Sequence, residues 1–321
     1  MHAAAVTLLC WAMIAAALFA PVSAATLAPV LLASLVAFVG LPHGAADHWL
    51  AGAVLPQSIG RHWWFFFLGG YLGVAALTVA GWFIAPCLTI LAFFAASAWH
   101  FGREEPQLVR SGNVADALSR IARGGLVIWI PLLAWRNQVN ELLLAICPAE
   151  APAEVDLAVS ALVPVSVFAV VLAAASWLQQ LFAACSASGV RRRVLILDAS
   201  LVASLVAVFA LVTPVVSFPV YFCAWHSARG LRRLRRQLGE SWRQMVMQLA
   251  PTTIASIALV AAGGAFVWRA PDLPTVLVRS TFLGLSAVAM PHLMLETVLA
   301  CVAKRDTQAT THGGAVLGRA T

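Results

Sequence analysis

The chain has 321 residues, 62% hydrophobic and 10% charged, with a formal net charge of +7. Soluble domains are about half apolar and about a quarter charged, so this composition excludes an ordinary soluble globule and indicates an all-α, polytopic membrane protein. The positive charge does not point to nucleic acid. The arginines cluster in short loops, as the positive-inside bias predicts, and neither a phosphate-binding loop ending in Gly-Lys-Ser or Gly-Lys-Thr nor an RNA-recognition pattern is present. The six cysteines (Cys10, Cys87, Cys147, Cys185, Cys223, Cys301) are scattered without close pairing and read as small buried hydrophobes.

In chain order, apolar segments of spanning length fall near 4–21, 26–42, 63–85, 87–101, 118–135, 158–184, 194–212, 215–228, 251–268 and 279–302. A span needs about 20 residues, fewer where protein packs around its end. The expectation is a transmembrane helical bundle of about 10 spans (8–10) in a single domain, 1–305. Segments 87–101 and 215–228 are short, and each reads as a half-span or a tilted helix. The first segment, 1–24, ends in a signal-like Val22-Ser23-Ala24, but the residues before its apolar run hold His2 and neither Lys nor Arg. That favours an uncleaved span.

Basic loops set the orientation. Arg103, Arg110, Arg120 and Arg123 flank one loop, Arg191, Arg192 and Arg193 mark another, and Arg229 to Arg243 dominate a third. Lys304 and Arg305 follow the last span, whereas loop 136–157 is mainly acidic. Ten spans in the cell inner membrane with cytoplasmic N- and C-termini satisfy all of these loops. Segment 229–248 reads either as an amphipathic helix on anionic headgroups or as an ordinary positive-inside loop. Residues 306–321 read as a disordered cytoplasmic tail.

Five of the eight histidines lie within apolar stretches or at their ends: His43, His48, His100, His226 and His292. An ionisable side chain at membrane depth marks a functional site by default. In the ten-span topology His43, His100, His226 and His292 all fall toward the cytoplasmic face, so one bundle can bring them together around a metal. His43 and His48 diverge by about 140° on a helix and do not suit one ion together. A carboxylate follows three of the histidines by four residues: Asp47 after His43, Glu104 after His100 and Glu296 after His292. Such carboxylates either orient a ligating imidazole or ligate directly. Position four after His226 is Gly230. Imidazole suits zinc, copper, iron and nickel. The neighbouring Trp99, Phe101, Phe222 and Trp225 suggest an aromatic-lined cavity for a long apolar substrate and oxygen.

At GLPHGAADH (40–48), WHFG (99–102), YFCAWHSARG (221–230) and PHLMLE (291–296) the chain resembles the Brp/Blh family of integral-membrane β-carotene 15,15′-dioxygenases. The resemblance implies Fe(2+)-dependent cleavage of β-carotene with O₂ into two retinals, with His43, His100 and His226 as catalytic iron ligands. It also suggests a functional link to a rhodopsin. The family often has a second histidine four residues after the one matching His226, and this chain has Gly230 there. Either His292 completes the set or the centre lacks a ligand, which would mean altered substrate, weak activity or none; Arg229 remains and could hold a carboxylate such as Glu104 or Glu296. Two alternatives remain open: a haem-binding redox protein, and a non-enzymatic transporter or assembly protein with a histidine site.

Overall fold

The protein is described by a computed structural model covering residues 2–105, 108, 112–267 and 272–317. Arg110 and residues 318–321 lie outside the described residues. Every regular element among those described is helical. Helix α1 (His2–Phe19) is followed by α2 (Pro21–Leu35), a π-helical stretch (Val36–Gly40), the short α3 (Leu41–Gly44), α4 (Asp47–Ile59), α5 (Trp63–Ile84) and α6 (Pro86–Glu104). Next come α7 (Asn113–Gly124), α8 (Leu126–Ala134), α9 (Arg136–Ile146), α10 (Pro152–Ser186) and α11 (Gly189–Leu211). Helix α12 (Pro214–Pro219) runs through a second π-helical stretch (Val220–Ser227) into α13 (Ala228–Leu238), and α14 (Trp242–Val267) and α15 (Leu273–Leu317) follow.

Proline opens α2, α6, α10 and α12, where its missing N–H is one that a helix start leaves unpaired anyway. Each π-helical stretch has a proline at its border, Pro42 after the first and Pro219 before the second. A proline inside a helical run removes an i→i−4 bond, and the backbone accommodates this by widening the turn.

Among the described residues, seven helical stretches are long and apolar enough to cross a membrane: His2–Phe19, Thr26–Ala53, Gly60–Ile84, Pro152–Ser186, Gly189–Leu211, Trp242–Gly263 and Leu273–Val298. The pair α7–α8, bent by 57°, makes an eighth if it is one span. The expectation of about ten is therefore too high, and the two surplus spans are the two short segments. Segment 87–101 lies in α6, whose last turns carry His100, Arg103 and Glu104. Segment 215–228 is a six-residue α-helix followed by an eight-residue π-helix, well short of the ~20 residues that a span requires.

Segment 229–248 is not one surface helix. Gly239, with φ of 69°, caps α13, and Met245 and Leu249 of α14 pack with Leu234, Ala45 and Ala46 in a small buried cluster. The last helix continues to Leu317, through most of the segment read as a tail.

Helix α15 packs against α2, α5 and α14, and α10 packs against α7, α8 and α11. Trp82 Nε1 donates to Ser286 Oγ at 2.9 Å, tying α5 to α15. Helices α6 and α7 cross glycine on glycine. A Cβ on Gly124 would stand 2.2 Å from the Gly102 nitrogen, so no other residue fits there and the end of α6 bearing His100 is fixed. Beside this crossing Arg123 donates to Asp198 at 2.6 Å and to Gln180 at 2.9 Å, joining α7, α10 and α11 through a buried charge pair.

Candidate metal centre

Four of the five histidines converge. His43 follows the first π-helical stretch, His100 ends α6, His226 lies in the second π-helical stretch, and His292 follows Pro291 in α15. Their rings form a closed circuit. Centroids are 5.2 Å apart for His43–His226, 5.0 Å for His226–His100, 5.2 Å for His100–His292 and 5.2 Å for His292–His43. Every adjacent pair is close to edge-on, with interplanar angles from 70° to 89°.

The nitrogens show how this circuit could hold an ion. His292 Nδ1 donates to Asp47 Oδ1 at 2.7 Å, and His100 Nδ1 faces Glu296 Oε2 at 3.2 Å. Each carboxylate fixes the tautomer and turns the Nε2 lone pair inward, the usual arrangement behind a metal-bound imidazole. The His100 and His226 Nε2 atoms stand 3.3 Å apart. Nε2 of both His43 and His292 is buried without a hydrogen-bond partner. Buried polar nitrogens normally have partners, so these two leave lone pairs available to ligate an ion, with Glu296 Oε1 3.8 Å from His292 Nε2. Among the described residues, donor atoms of His100, His292 and Glu296 lie within 4.8 Å of one another. The donor set is therefore imidazole-rich with one carboxylate within reach, and it fits a non-haem transition metal.

Several expected pairings are exchanged. Asp47 serves His292, not His43, because α3 stops at Gly44 and α4 starts afresh at Asp47, so His43 and Asp47 do not share a helix face. Glu104 turns away from His100 and takes both terminal nitrogens of Arg233, one at 2.8 Å. Glu296 replaces it beside His100. Arg229 lies over the Trp225 ring at 4.8 Å and holds neither Glu104 nor Glu296. His48 leaves the centre altogether, its Nδ1 bonded to the Ala45 carbonyl at 2.7 Å.

An apolar cavity of about 160 Å³ leads away from the four histidines, bounded by Phe101, Phe222, Phe218, Trp82 and Leu143 among others. Phe101 and Phe222 line it, and Trp99 and Trp225 do not. Trp99 is 44% exposed. One residue before His100, it sits about 100° round the helix and faces outward. Trp225 donates through Nε1 to Glu105 at 3.1 Å instead. Burial holds the Glu105 carboxyl above the ordinary range, against the pull of Arg229 and Arg123. A second apolar cavity, about 520 Å³, lies along α5, α14 and α15 and is lined by Asp47, His48 and Tyr71 among others. Gly44 and Val288 border both cavities.

Sequence reasoning did not single out Arg233 or Glu105. Arg233 was within reach of it: 226, 230 and 233 lie on one helical stripe. Glu105 offered no periodic signal, since it stands just past the end of α6.

Comparison with known proteins gives a family for the chain. A family described as beta-carotene 15,15′-dioxygenase matches residues 34–300, a range that contains all four histidines. A relative from Halobacterium salinarum, named probable beta-carotene 15,15′-dioxygenase Blh, is 29% identical over 300 residues, covering 83% of this chain and 82% of its own. The beta-carotene 15,15′-dioxygenase of uncultured marine bacterium 66A03 is 24% identical over 283 residues, covering 82% of this chain and 90% of its own. No solved structure matches. With most of its length matched, the chain belongs to the β-carotene 15,15′-dioxygenase family.

Proposed function

We propose that this enzyme cleaves β-carotene at its central 15,15′ double bond with O₂ to give two molecules of all-trans-retinal, using Fe(2+) held by His43, His100, His226 and His292. The observation that carries this reading is the closed circuit of four imidazoles, two of them with unpartnered Nε2 atoms, at the wall of an apolar cavity. Bound iron would supply the one-electron and oxygen chemistry that side chains lack.

The chain's own residues do the rest. Asp47 and Glu296 hold the His292 and His100 rings with Nε2 facing inward. Phe101, Phe222 and Phe218 give the polyene an apolar wall and keep water from the reacting carbons. The substrate reaches the site through the bilayer of the cell inner membrane, with both chain termini cytoplasmic, and the retinal product would serve a rhodopsin. A haem is disfavoured, because adjacent rings only 5.0–5.2 Å apart leave no slot for a macrocycle between them.

Expression in a β-carotene-producing bacterial host tests the reading. Loss of colour with about two retinals per carotene consumed is the expected result, by the stoichiometry of central cleavage. Retained colour, with the protein confirmed in the membrane, would overturn it.

A further inference from the structure

Glycine inside a helix is unfavourable because it gives up the most backbone freedom on folding, yet Gly230 sits within the first turn of α13 and is buried. Its backbone has no positive φ. What glycine supplies here is space. A Cβ at 230 would stand 2.2 Å from His43 Cε1, 2.6 Å from its Nδ1 and 3.1 Å from its Nε2. The His43 imidazole therefore rests directly on the Gly230 backbone.

The same relationship recurs in reverse earlier in both segments. The two π-helical stretches pack against each other, and a Cβ on Gly40 would stand 2.6 Å from Phe222 Cε1. Each side of the crossing thus offers one glycine and receives one ring, Gly40 under Phe222 and Gly230 under His43. His43 has nowhere to retreat, since His226 and His292 flank it at 5.2 Å each.

We propose that Gly230 is a positioning residue, the floor that allows the His43 imidazole to stand among the other three histidines. The inference rests on the reading of these histidines as a metal centre, and it adds that in this chain, where glycine stands at the position of the family's frequent histidine, the placement of His43 depends on the absence of a side chain at 230.

The full-length protein in detergent, stripped with a chelator and titrated with Co(II), provides the test. Gly230→Ala should weaken Co(II) binding more than about tenfold, the scale at which supporting residues act on metal sites, and should alter the cobalt d–d absorption bands. A purely structural role would not change those bands in the fraction that remains loaded. Wild-type affinity and an unchanged spectrum in Gly230→Ala would overturn the proposal.

A second measurement reads the contact without metal. In the apoprotein Gly230→Ala should lower the thermal unfolding midpoint, and that loss should vanish in a His43→Gly background, because the alanine then has no ring to displace. Equal losses in both backgrounds would sink the proposal. Failure of the wild type to bind Co(II) would count against the metal centre, and the thermal cycle would then decide the role of Gly230 alone.

Discussion

Asp47 and His292 meet at 2.7 Å across 245 positions of the chain. Both are buried, and the contact ties the start of α4 to the middle of α15. The carboxylate holds the Nδ1 proton of His292, which leaves Nε2 free to ligate. Asp47→Ala should therefore lower metal affinity by about 10- to 100-fold with the protein still inserted. Metal per chain, measured by elemental analysis after purification, checks it.

Glu104 and Glu296 separate cleanly. Glu296→Gln removes the charge beside His100 and should reduce bound metal by about tenfold or more. Glu104→Gln weakens only the pair with Arg233, whose side chain is 47% exposed, and should leave metal content unchanged. Equal losses in both variants would mean that Glu104 reaches the centre after all.

Each of His43→Ala, His100→Ala, His226→Ala and His292→Ala should abolish retinal formation and deplete bound iron. Chelation of the wild type should do the same, with activity restored by Fe(2+). The informative case is His292→Ala: iron content equal to the wild type would reduce the centre to three histidines.

Leu143 is 5% exposed and lines the cavity beside the histidines. Leu143→Trp should block the polyene and cut cleavage strongly while iron stays bound, at a cost of about 1–3 kcal/mol from overpacking. Trp99→Ala, on the outward face, should leave cleavage close to wild type. Retinal yield against iron content distinguishes the two.

Arg123→Ala leaves Asp198 buried without its cation. Breaking such a pair from one side costs about 3–5 kcal/mol. The variant should unfold at lower denaturant in detergent, and Arg123→Ala/Asp198→Ala should recover part of the loss.

The four histidines were legible because each stands in or beside an apolar run, where a polar side chain is conspicuous. Their partners were less so. Asp47 sits at helical spacing from His43, and only the break between α3 and α4 sends it to His292. Glu104 and Glu296 both follow a histidine by four, and nothing local reveals that Arg233 claims the first. Trp99 and Trp225 looked like cavity walls by adjacency, but adjacency along a helix places neighbours on different faces. The surplus of two spans has a similar origin: apolar content was evident in 87–101 and 215–228, whereas the π-helical path of the second was not.

A π-helical turn is an α-helix carrying one residue too many. Five π-helical residues turn through about the same angle as four α-helical ones, so the extra residue in 36–40 is absorbed in the wide turn and His43 keeps its direction relative to α2. Deleting one residue from 36–40 should therefore be tolerated better than deleting one from the regular helix of α6 ahead of His100, where each residue lost turns the imidazole by about 100°. Length is the variable property of the first stretch, and the direction of the helix that leaves it is the constrained one.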